Sequence, residues 1–150
     1  MADFDEYWED FKATVGPILV DAMAAETPVS DSPNDPMPGT LAESHSYQDG
    51  DEGRLEIISE DPRGIPLARF IIRGTQPHPI DPLGPYPLHW IGGGGEDVFA
   101  MHVDHPGTAP DPFNQRAWED VRDEVVAEFK QTVGKGYALA LLNPWRNKKI

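Results

Sequence analysis

Apolar residues recur at steps of three and four from Phe4 to Ala25. Phe4, Tyr7, Trp8, Phe11, Val15, Ile18, Leu19, Ala22 and Met23 form one broad stripe, which predicts an amphipathic helix. Asp3, Asp5 and Glu6 crowd its first turn, where the helix dipole favours negative charge. Gly16-Pro17 falls inside the pattern and predicts a kink or a break, because proline removes a backbone donor and crowds the preceding turn. A second stripe, Phe113, Ala117, Val121, Val125, Phe129 and Val133 with Trp118 alongside, predicts a long helix near the other end. Asp111 is its expected cap, Pro112 its first residue, and Gly134-Lys135-Gly136 its end. The apolar stretch Tyr137 to Leu142 that follows fits an extra strand, a terminal helical turn or an arm that docks on a neighbour.

Between the helices the pattern turns β-like. Arg54–Ser59 and Leu67–Ile72 read as short strands, the second rich in residues that favour extended backbone. Tyr86–Ile91 and Asp97–Val103 flank Gly92–Gly95 and read as an antiparallel hairpin. In the latter strand His102 shares a face with Asp104, so a His–Asp pair is geometrically possible. Residues 26–53 lose periodicity and are punctuated by Thr27-Pro28, Ser32-Pro33, Asp35-Pro36 and Pro38-Gly39. They are expected to form an extended acidic loop, with an apolar island at Leu41–Tyr47 that suits one helical turn. No internal repeat is found. The resulting expectation is an α+β domain over residues 1–135. Its N-terminal and C-terminal helices pack on a small, mostly antiparallel sheet with long Pro/Gly-rich loops, and residues 136–150 form a C-terminal arm.

Charge sharpens this picture. The chain has 150 residues with 26 acids, 12 bases and a formal net charge of -14. Residues 1–62 hold 16 of the acids against only Lys12 and Arg54, whereas residues 63–150 balance ten acids with ten bases. So acidic a chain is a poor binder of polyanions or of anionic membrane surfaces. No apolar run approaches the roughly 20 residues that span a bilayer, and the first residues lack the basic start and apolar centre of a secretory signal. The absence of cysteine removes disulfides, thiolate ligands and thiol nucleophiles. A life without passage through the secretory route is expected. Sixteen prolines and 14 glycines raise the question of disorder, but they cluster between periodic segments and predict long loops in a folded domain.

Candidate chemistry is sparse. Gly92–Gly95 leads into Glu96-Asp97 and a strand pattern, where a phosphate cradle would need a helix and a Lys, Ser or Thr. It is better read as a hairpin tip. His78, His89, His102 and His105, with Asp81, Asp97 and Asp104 nearby, are the candidates for metal ligation, but their spacing matches no helical or knuckle motif, so structural roles in loops and at strand ends are expected and no metal is. Ser30, Ser32, Ser44, Ser46 and Ser59 lie in no nucleophile elbow. Arg69 and Arg73 are expected to pair with acids rather than nucleic acid. No catalytic residue and no cofactor is expected, and the chain is read as a non-enzyme.

Two proline-punctuated turns carry a resemblance. One is Arg73-Gly74-Thr75-Gln76-Pro77-His78-Pro79-Ile80-Asp81-Pro82, and the other runs from Val103 through His105-Pro106-Gly107-Thr108 to Asp111-Pro112-Phe113, with Leu88-His89-Trp90 between them. This order resembles the neck or minor tail-component proteins at the head–tail junction of long-tailed bacteriophages. Thr27-Pro28-Val29 and Gly39–Ser44 are similar to an upstream segment of that family, but with an acidic insertion and no basic residue after Leu41. The resemblance spans roughly residues 4–133.

It implies a structural virion protein that joins the connector to the tail, as a homomeric ring with hexameric symmetry through which DNA passes without specific binding. The tail terminator, which caps the tail tube, is the alternative within that class. A metal-binding module or enzyme using the four histidines, and an acidic mimic of nucleic acid, are alternatives from other classes. The implied partners are further copies of the chain and adjacent connector and tail proteins, with no membrane. The implied location is the virion head–tail junction, with host cytoplasm during assembly. Gly74, Thr75, Pro77, His78, Ile80, His105, Pro106, Gly107, Thr108, Pro112, Phe113, Tyr137, Leu139 and Leu141 are the expected interface residues. In such a ring, part of the acid excess of residues 1–62 is expected to line the lumen or face a basic neighbour.

Overall fold

The computed structural model describes residues 4–142 and shows an α+β fold, with long helices at both ends and small antiparallel sheets between them. The chain divides into two compact units. The first comprises helix α1 (Phe4–Glu26), residues 45–58 and most of helix α4 (Phe113–Leu142). The second comprises residues 27–44 and 59–113.

In the first unit, Phe11, Val15, Val125 and Val133 form the buried core, with Trp8, Leu19, Leu55 and Val121 packed against it. These are the predicted stripes of both helices meeting each other. Phe11 stacks on Trp8 at 5.2 Å between ring centroids and meets Phe129 edge-on at 5.5 Å. Strands β1 (His45–Asp49) and β2 (Leu55–Ser59) pair around a 3₁₀ turn, Asp51–Gly53, whose Gly53 carbonyl accepts a hydrogen bond from the Trp8 indole at 3.0 Å. The ring of Tyr47 lies over Gly16, where any Cβ would collide with it. Lys12 is buried to 5% exposure, and its ammonium contacts Asp49 and, at 2.9 Å, Glu9. Those carboxylates hold its pKa above the ordinary lysine range.

The second unit contains helices α2 (Thr40–Glu43) and α3 (Leu67–Arg73) and two further two-stranded sheets. Strand β3 (His78–Ile80) pairs antiparallel with β6 (Val103–His105), placing His78 opposite His105 and Ile80 opposite Val103. Strand β4 (Leu88–Ile91) pairs antiparallel with β5 (Asp97–Ala100) across the glycine tip, as the sequence predicts.

Five expectations need correction. Leu67–Ile72 is helical, not a strand. Its partly buried residues Leu67, Ala68, Ile71 and Ile72 fall on one helical face, and Pro66 and left-handed Gly74 (φ +67°) bracket it. That spacing outweighs the β-propensity of Ile71-Ile72. The hairpin's second strand stops at Ala100, because β5 belongs to β4 while residues 103–105 belong to β3. Residues 26–53 hold the expected helical turn, as α2, but also β1 and the 3₁₀ turn, so they are not one extended loop. Helix α4 continues through Gly134-Lys135-Gly136 to Leu142. Gly134 does not adopt a left-handed cap, and an internal glycine costs a helix only about 1 kcal/mol. Helix α1 likewise runs unbroken through Pro17.

Removal of the ring that joins the two long helices should be costly. Phe11→Ala is expected to lose roughly 3–5 kcal/mol, read as a lower urea midpoint in chemical denaturation.

Candidate functional site

The two motif turns meet in the second unit. Thr75 and Thr108 form an isolated antiparallel bridge: Thr75 N–H donates to the Thr108 carbonyl at 3.0 Å, and Thr108 N–H donates to the Thr75 carbonyl at 3.1 Å. The Thr75 hydroxyl oxygen accepts from the same Thr108 N–H at 3.0 Å. Each threonine follows a glycine with positive φ, +67° at Gly74 and +84° at Gly107. A Cβ on Gly74 would collide with the Thr108 carbonyl and Pro110. One on Gly107 would collide with the Thr75 carbonyl and the Gln76–Pro77 peptide. Each glycine thus gives conformational freedom and also space for the other turn's backbone.

The β3–β6 ladder continues this clamp, bringing the His78 and His105 rings to 5.0 Å. The His105 Nδ1 accepts from Gly107 N–H at 3.0 Å, which leaves the proton on Nε2 in the neutral ring, whereas His78 Nδ1 lies 2.9 Å from the Gln76 carbonyl and donates to it. Further along, Asp111 N–H donates to the Ile71 carbonyl at 2.9 Å, tying the exit of the second turn to α3. Of the expected interface residues, Gly74, Thr75, Pro77, His78, Ile80, His105, Pro106, Gly107 and Thr108 therefore lie together on this clamp. Pro112 adjoins its exit, and Phe113 is wholly buried and presents no surface. The side chains of Tyr137, Leu139 and Leu141 lie outside the described residues.

The candidate metal ligands are dispersed into local roles. His89 stacks on Phe99 at 4.7 Å and contacts Asp97 through Nε2 at 2.7 Å. The His102 ring sits between two carboxylates, Nδ1 to Asp81 at 2.7 Å and Nε2 to Asp104 at 3.1 Å. Two acceptors on one ring favour the form with two N–H donors, the imidazolium. The Asp81 carboxylate, then that of Asp104, accordingly raises the His102 pKa. Among the described residues, no group of three His, Cys, Asp or Glu has an arrangement suited to a metal ion.

Two features escaped the sequence reading. Asp61, with a side chain only 1% exposed, receives Arg63 through both Nε (2.7 Å) and Nη2 (2.6 Å), while Arg63 also lies 3.6 Å from Asp35. Arg63 holds the Asp61 pKa below the usual carboxylate range. Asn34 hydrogen-bonds both backbone groups of Ile91. Nothing in Pro33-Asn34-Asp35-Pro36 signals more than a turn.

Gly74→Ala and Gly107→Ala should each destabilise the protein by at least about 1 kcal/mol, whereas Gly93→Ala, where a Cβ meets nothing within 4 Å, should be near neutral in thermal denaturation. By NMR titration, His102 should retain its proton above the ordinary value of 6.5 and revert toward it in Asp81→Asn. The sign follows from the raised pKa. The stabilisation is complete below 6.5 and is lost as pH rises through the folded-state value. Comparisons with protein-family models, with curated proteins and with solved structures return no match to this chain.

Proposed function

We propose that the chain is a structural, non-catalytic component of the phage head–tail junction, a neck or tail-completion protein that assembles into a ring. The observation that carries this reading is the mutual clamp of Gly74-Thr75 and Gly107-Thr108. The two turns on which the family resemblance rests are thirty-three residues apart in sequence, yet each supplies the space and the hydrogen-bonding groups the other needs. That reciprocity supports taking the two turns as one motif.

Surface composition supports an assembly role. Leu83, Tyr86, Phe99 and Met101 are all exposed, Leu83 completely and Tyr86 by 79%, in a stretch that also holds the β4–β5 hairpin. Exposed apolar residues grouped in this way suit contact with another protein. The acid excess suits a lumen through which DNA slides. Asp49 and Glu9 are answered by Lys12, Asp61 and Asp35 by Arg63, and Glu26 by Arg116, within a stretch whose 16 acids face only two bases of its own.

Electron microscopy of the particles with which the protein co-purifies tests the reading. Ring density between portal and tail is the expected result, and its level in the stack distinguishes a neck protein from a tail terminator. Phe99→Asp should leave filled heads and tails unjoined in lysates. Normal virions lacking the protein would overturn the proposal.

A further inference from the structure

Among the described residues strand β4 pairs with one strand, β5, and its other edge takes no strand. The register decides which groups face that edge. Gly92 N–H donates to the Glu96 carbonyl at 2.8 Å, so alternation makes Trp90–Val98 and Leu88–Ala100 the hydrogen-bonded pairs. The N–H and C=O of His89 and Ile91 then point outward. At Ile91 both groups meet one carboxamide: Asn34 Nδ2 donates to the carbonyl at 2.9 Å, and its Oδ1 accepts from the N–H at 2.7 Å. Asn34 thus stands where the peptide group of an added strand would stand. At His89 the edge opens onto a cleft of about 490 Å³, lined by Ile80, Leu88, Trp90, Val103, His105 and Asn34 itself.

Charge and composition select an occupant. Residues 76–113 contain five acids, Asp81, Glu96, Asp97, Asp104 and Asp111, and no Lys or Arg. Residues 143–150, Asn-Pro-Trp-Arg-Asn-Lys-Lys-Ile, contain three bases, no acid and one tryptophan. Pro144 has no N–H to offer a ladder, so pairing with the open edge can begin at Trp145. Strand alternation then puts Trp145 on one face and Arg146 and Lys148 on the other.

We infer that residues 143–150 of a second copy add to the open edge of β4, seating Trp145 in the apolar cleft and setting the basic residues against the surrounding acids. With Ile91 held by Asn34, pairing is confined to the His89 N–H and C=O and fixes register, while the apolar cleft and the charge contrast supply the affinity. The contact joins a tail on one copy to a cleft on the next. It is therefore heterologous, and it propagates until it closes into a ring or extends into a filament. It stands on the cleft and the tail sequence, independently of the phage reading.

Sedimentation velocity of the full-length chain over a range of concentrations tests the inference. The wild type should self-associate, and more weakly as salt is raised. Trp145→Ala should weaken association by roughly 30-fold or more, as loss of an aromatic anchor does. Val103→Lys, or Ile80→Lys as a second cleft variant, should act likewise. An equimolar mixture of Trp145→Ala, with an intact cleft, and Val103→Lys, with an intact tail, should form a one-to-one heterodimer, which requires both variants to be folded. Undiminished association of Trp145→Ala would overturn the inference. So would a wild type that stays monomeric at every concentration, or failure of the mixture to pair when both variants keep the wild-type circular dichroism spectrum.

Discussion

The reciprocal bridge between Thr75 and Thr108 sets the geometry around it in the second unit. Two backbone hydrogen bonds close the gap between segments far apart in sequence. That closure fixes the register that puts Ile80 opposite Val103 and His78 opposite His105. Beyond β5 the chain turns away from β4, and residues 103–105 pair with β3 instead. The corner at Met101-His102 is held by the His102 ring on Asp81, one residue beyond the end of β3. One small bridge therefore propagates into two sheets and the position of the cleft between their lining residues.

The elements legible in the sequence are those whose side-chain period admits one reading. Long stripes such as Phe11 to Leu19 and Ala117 to Val133 leave no alternative to a helix, and four glycines between two apolar strands leave little alternative to a hairpin. Leu67–Ile72 defeats the same reasoning. Six apolar or long-stemmed residues are too few for a period to emerge, and β-branched residues tip the balance toward a strand. What decides the matter is the company the segment keeps. Leu67 and Ile71, one turn apart, line a pocket with Met37 and Leu41, and the Ile71 carbonyl is claimed by Asp111. Tertiary contacts of that kind leave no local trace.

Much the same holds for the site. The two turns are visible in the sequence as punctuation, but their pairing is not, and neither is the use of Asn34 as a surrogate strand. Polar residues in a proline-rich segment read as solvated loop until a partner is found. The acidic stretch follows this rule. Its apparent looseness is limited by cations: Lys12 on Asp49 and Glu9, Arg63 on Asp61 and Asp35, and Arg116 on Glu26. Burying a cation is tolerable only beside such carboxylates. An excess of acids is thus in part a means of ordering the chain.

The two glycines of the clamp carry a consequence for how such a sequence can change over generations. Gly74 leaves room for the Thr108 carbonyl, and Gly107 leaves room for the Thr75 carbonyl. A side chain at either position pushes the turns apart, and once they are apart the second glycine has nothing left to accommodate. Their substitution costs should fall short of additive, and selection should act on the pair as a single character. Descendants of this chain should keep both glycines or lose both together, even where every residue between them has drifted.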